Sequence, residues 1–178
     1  MKNFEISGNL KTIGQYDNFC NNINLVFSKF TELFGAEVMS RIDLYVDNAI
    51  QMTGHTPIII PVLGKYLFIK LGIRDFSNCK CIVFQFSHEL CHYVFYSLKG
   101  IKKTFADDKE ENLCAAMSLI MVKELFTEDE FQDYYNYALT LEEKYRLGAI
   151  IAGDLQYDIT KLKGKIMEEG LCPQTSTS

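Results

Sequence analysis

Phe84-Gln85-Phe86-Ser87-His88-Glu89-Leu90-Cys91-His92-Tyr93-Val94-Phe95 is the stretch on which the fold turns. It lies inside a run of helical periodicity that opens at Asn78, continues through Ile82, Val83, Phe86, Leu90 and Val94, and stops at Gly100. Two histidines and a glutamate at the centre of an apolar helix are costly unless something satisfies them. Their spacing is HExxH. Residues i and i+4 lie about 40° apart around a helix and roughly 6 Å apart along it, so both imidazoles can reach one zinc ion (Zn2+) from the same face. Glu89 stands beside them, placed to take a proton from a water whose pKa the metal lowers to roughly 7. His88 and His92 are therefore assigned as metal ligands, and Glu89 as general base and later general acid. The chain has three histidines, His55, His88 and His92, and two fall in the motif.

A catalytic zinc usually takes three protein ligands plus water. No third histidine follows the motif. The next helix opens with acids: Asp107-Asp108-Lys109-Glu110-Glu111-Asn112-Leu113-Cys114-Ala115-Ala116-Met117-Ser118. Its small residues allow close approach to the HExxH helix. Glu111, in line with Ala115 and Ser118, is the first choice for third ligand. Glu110, in line with Cys114 and Met117, is second, and Asp108 is third. Acids not used this way favour the helix dipole from the first turn. An oxyanion donor is expected among Tyr93, Tyr96, Tyr134 and His55. Cys91 lies between the histidines but points away from their side, as a small buried thiol would.

Outward from this helix, Phe19, Ile23, Val26, Phe27, Phe30, Leu33 and Phe34 recur at helical spacing and Gly35 ends them. Ile42–Val46, Ile58–Ile60 and Tyr66–Leu71 read as strands, with a turn over residues 53–57 and Gly64 in the loop between the last two. Thr127 and Glu130 form a capping box that opens a third helix, and further helix follows, interrupted near Gly153. The expected fold is α+β: a small, mainly antiparallel sheet packed on the HExxH helix, then a C-terminal helical block. Residues 1–172 read as a single domain and 173–178 as a flexible tail.

Composition fits this reading. The chain has 178 residues, 48% of them hydrophobic and 23% charged, which suits one globular domain. A net charge of −5 makes direct nucleic-acid binding unexpected. No apolar run approaches the roughly 18 residues of a membrane span, and no signal-like stretch opens the chain. A cytoplasmic protein with free thiols at its six cysteines is expected.

A sheet, an HExxH helix and an Ala-rich helix opening with Glu together resemble the gluzincin metallopeptidases, and within them the ImmA/IrrE-type proteases. That family shows HELGH followed by a segment like E-x-E-A-N-x-F-A-A-x-L-L-M-P. The counterparts here are His88-Glu89-Leu90-Cys91-His92 and Glu110-Glu111-Asn112-Leu113-Cys114-Ala115-Ala116, ending near Leu119-Ile120-Met121. Cys91 replaces the usual Gly or Ala, Cys114 replaces Phe, and the closing Pro is missing. The resemblance covers roughly residues 40–125. It implies a zinc-dependent peptidase acting on a protein or peptide substrate, often a transcriptional repressor in such families. The alternative is a zinc-binding, zincin-fold regulatory or binding module without protease activity.

Overall fold

The computed structural model describes residues 4–49, 57–103 and 105–172. His55, most of the expected turn at residues 53–57, and the tail at 173–178 lie outside them. The described chain runs β1 (Phe4–Ile6), a short 3-10 helix (Gly8–Thr12), α1 (Tyr16–Phe34), α2 (Ala36–Met39), β2 (Asp43–Asn48), β3 (Ile58–Val62), β4 (Tyr66–Leu71), α3 (Cys79–Lys99), α4 (Asp108–Leu125), α5 (Glu128–Ala138), α6 (Glu143–Asp154) and α7 (Ile159–Leu171). This is an α+β architecture. Among the described residues, no helix is long and apolar enough to cross a membrane.

The sheet corrects the expectation of mainly antiparallel pairing. Its order is β1-β2-β4-β3, and β1–β2 and β2–β4 are parallel. Only β3–β4 is antiparallel. That hairpin was legible. Leu63 (φ 54°) and Gly64 (φ 65°) both sit in the left-handed region, the geometry of a tight turn matched to strand twist. What short strand runs do not reveal is the partner. β4 inserts between β3 and β2, so β3 becomes the edge. β1, only three residues long, joins beside β2 through a crossover that carries α1.

The strands alternate. Leu44 and Val46 on β2 and Leu67, Ile69 and Leu71 on β4 are buried, while Tyr45 and Tyr66 stack edge to face on the other side, 4.9 Å apart. One face is therefore covered by helices. α3 packs on β3 and β4, and α1 packs on α3, burying Phe19, Ile23, Val26, Phe30 and Phe34, a stripe at helical spacing. The amide of buried Asn48 closes the end of β2 against Ile73, donating to its carbonyl (2.8 Å) and accepting from its N–H (2.7 Å).

α3 is the central helix. Asn78 caps it by accepting from the Cys81 N–H at 3.0 Å, and Gly100 (φ 94°) ends it. From Ile82 to Ser97 every residue except Gln85 is buried, the signature of a helix enclosed on all sides. α4, capped by Asp107, packs along it and is buried from Leu113 to Val122. α6 then crosses α4 at very close range. A Cβ placed on Gly148 would lie 2.6 Å from that of Ala115, so glycine is what permits this approach. The Thr127–Glu130 capping box opens α5 as expected.

Candidate metal centre

The two imidazoles come from successive turns of α3 and face the first turns of α4. His88 Nε2 and His92 Nε2 are 3.3 Å apart. Glu111 of α4 reaches both, with Oε2 at 3.3 Å from His88 Nε2 and Oε1 at 3.5 Å from His92 Nε2. One ligand atom from each of the three side chains lies within 4.8 Å of the others. A tetrahedral ion with bonds of about 2.0–2.1 Å has ligand–ligand edges of roughly 3.3–3.4 Å. The separation of the two Nε2 atoms matches such an edge, and the Glu111 carboxylate spans the two nitrogens with one oxygen near each.

The protonation states also suit a cation. Burial holds His88 down at about 4, so its ring is neutral near pH 7; the Glu111 carboxylate resists this, and His92 reinforces it. For Glu111, burial pushes upward, but the hydrogen bond with His88 and the charges of His92, His88 and Lys144 outweigh it and hold the carboxyl at about 2. A neutral His88 ring and an ionised Glu111 carboxylate are forms that ligate metal.

Glu89 lies on the same wall and is 4% exposed. Burial pushes it up to about 7; Glu111 adds to this, while His92, Lys144 and the Ile59 backbone amide of β3 pull the other way. Its carboxyl therefore sits near the working range of a group that must both take and give a proton. The four side chains line a cavity of about 250 Å³ that also includes Ile58 and Ile60 on one side and Phe105 and Lys144 on the other.

The other sequence candidates separate. Glu110 is not on the Nε2 side. Its Oε1 lies 2.8 Å from Nδ1 of His92, behind the ring, and also 2.9 Å from Lys103 Nζ. Asp108 is exposed on the first turn of α4 and does not line the cavity of the histidines; it borders a hollow of about 490 Å³ between α4, α6 and α7. Tyr93 is structural: its hydroxyl lies 2.7 Å from the Ile42 carbonyl and 3.1 Å from that of Met39, tying α3 to the start of β2. Tyr134 packs on Phe84. Tyr96 does line the cavity. Cys91 is fully buried, and all six cysteines are free.

Two site residues escaped sequence reasoning, and both ride on α6. Lys144 Nζ is 3.2 Å from Glu111 Oε2. The Tyr145 ring centre is 5.7 Å from that of His88, and its hydroxyl is pushed up by burial and by the nearby Glu89 carboxylate. The available signal was Gly148 inside an otherwise helical pattern, four residues after Lys144, which marks a face in close contact with another element.

No protein-family model matches the chain, and neither a curated protein nor a solved structure matches it.

Proposed function

We propose that this chain is a zinc-dependent metallopeptidase, similar in kind to the ImmA/IrrE-type gluzincins, that hydrolyses a peptide bond in an intracellular protein. One observation carries the reading: His88 Nε2, His92 Nε2 and a Glu111 oxygen converge within 4.8 Å, with Glu89 on the wall of the same cavity. His88, His92 and Glu111 would hold the ion. When bound, zinc supplies an activated water and polarises the scissile carbonyl. Glu89, on the cavity wall with a carboxyl near 7, would be the group that accepts a proton from the attacking water and returns one to the leaving nitrogen. Lys144, beside Glu111 on the cavity wall, offers an ammonium toward developing negative charge.

The substrate path is supported by β3. Its only strand partner among the described residues is β4, so its outer edge can accept an extended peptide by backbone pairing. Ile58 and Ile60 line the cavity along this edge. A regulatory protein with an accessible extended segment fits such an edge.

The test compares the zinc-loaded chain with Glu89→Gln on a library of quenched fluorescent peptides. Cleavage by the wild type, lost in Glu89→Gln at unchanged zinc content, is the expected result. Equal cleavage in both would remove Glu89 from the reaction. No cleavage by either, with a cellular effect that Glu89→Gln preserves, would leave a binding module.

A further inference from the structure

On the Nδ1 side of His92, Glu110 pairs with Lys103, which itself reaches the cavity wall, and the peptidase reading uses neither. Glu110 is 2% exposed. Its Oε1 meets His92 Nδ1 at 2.8 Å and Lys103 Nζ at 2.9 Å. The Lys103 side chain is itself only 3% exposed and lies over the Tyr96 ring, 4.3 Å from its centre. Cys114 Sγ is also near Nδ1, at 3.4 Å. His88 has no counterpart: its Nδ1 is buried without a hydrogen-bond partner among the described residues.

We infer that Lys103 and Glu110 form a positioning pair for His92, with Glu110 accepting the Nδ1–H so that the Nε2 lone pair faces the ligand position. The inference rests on the metal-centre reading above. The physical ground is twofold. A buried ion pair costs desolvation and is often replaceable by apolar residues without loss of stability, so stability alone is a weak reason for this one. A carboxylate on the far nitrogen of a ligating histidine fixes its tautomer and ring orientation, and its loss typically weakens metal binding about 10–100-fold. Lys103 belongs to the segment between α3 and α4 that also contributes Phe105 and Ala106 to the cavity. The pair therefore ties the cavity rim to the grip on the ion.

The experiment uses the full chain as wild type, Glu110→Gln, Lys103→Met and the double variant. Zinc affinity is read by competition with a chromophoric chelator, and imidazole tautomers by 15N NMR, which three histidines keep simple. The zinc-loaded wild type should show His92 protonated at Nδ1 and bound through Nε2. Glu110→Gln should bind zinc about 10–100-fold more weakly, and the double variant no more weakly than Glu110→Gln, because the two residues act in series. The double variant removes both charges together, so it reads affinity even if a single variant unfolds. Wild-type affinity in the double variant, additive losses in the two singles, or His92 bound through Nδ1 overturns the inference while leaving the metal centre standing. A wild type that binds no zinc overturns both.

Discussion

Gly148→Ala tests whether the close crossing of α4 and α6 shapes the site. The added Cβ would lie 2.6 Å from Ala115 Cβ, 2.8 Å from Ala116 N and 2.9 Å from Ala115 C. Carbon atoms pack comfortably at about 3.5–4.0 Å, and two of these neighbours are backbone, which cannot rotate away. α6 must retreat by about 1 Å. Overpacking of this kind costs about 1–3 kcal/mol. Alanine gains about 1 kcal/mol of helix propensity over glycine, so the net loss should be up to about 2 kcal/mol. For a chain of this length that lowers Tm by up to roughly 8 °C. Gly164 is the control: it lies inside α7, and nothing stands within 4 Å of an added Cβ. Gly164→Ala should keep the propensity gain and raise Tm. The assay is thermal unfolding by circular dichroism on both variants. Zinc content should hold in Gly148→Ala, since the proposed ligands sit on α3 and α4, while the proposed peptidase activity should fall as Lys144 moves with α6. A Gly148→Ala variant stabilised as much as Gly164→Ala would refute the reasoning.

Three further outcomes follow from the same geometry. In the metal-free chain, His88 at about 4 against an ordinary 6.5 loses stability as pH falls from 6.5 toward 4, while Glu89 at about 7 against an ordinary 4.5 loses it as pH rises from 4.5 toward 7. The opposed slopes leave the wild type nearly flat there; Glu89→Gln should uncover the His88 slope, approaching about 1.4 kcal/mol per pH unit, and equal urea midpoints between pH 4.5 and 6.5 in that variant would contradict it. Tyr93→Phe leaves the buried Ile42 carbonyl without its hydroxyl donor and should cost about 1–3 kcal/mol in urea unfolding with zinc content unchanged. Lys144→Met removes a cation that competes for Glu111 and should tighten zinc binding a few-fold in chelator competition; weaker binding would show that Lys144 supports the ligand instead.

Local signals in the sequence were strong where one element decides its own form. The helix stops at Gly35 and Gly100, the helix start at Asn78 and the Thr127 capping box are all written in a few adjacent residues. The HExxH spacing placed His88 and His92 on one face because helix geometry alone determines that. Long-range choices were not legible. Strand runs carry no label for their partner, so the parallel β2–β4 pairing and the short β1 were missed. Glu110 and Glu111 are adjacent, and sequence cannot say which faces Nε2 and which Nδ1; the roll of α4 against α3 decides it. Lys144 and Tyr145 lie more than fifty residues from the motif, and only the α4–α6 crossing brings them to it.

The central claim is that this chain builds a zinc centre from His88, His92 and Glu111. Its most direct test is the zinc content of the purified, reconstituted chain by elemental analysis, on wild type, His88→Ala, Glu111→Gln and Asp108→Asn. One zinc per wild-type chain, lost in His88→Ala, weakened in Glu111→Gln and kept in Asp108→Asn, is the predicted result. A reconstituted wild type that holds no zinc would contradict the account and leave HExxH as a buried polar cluster with no metal to serve.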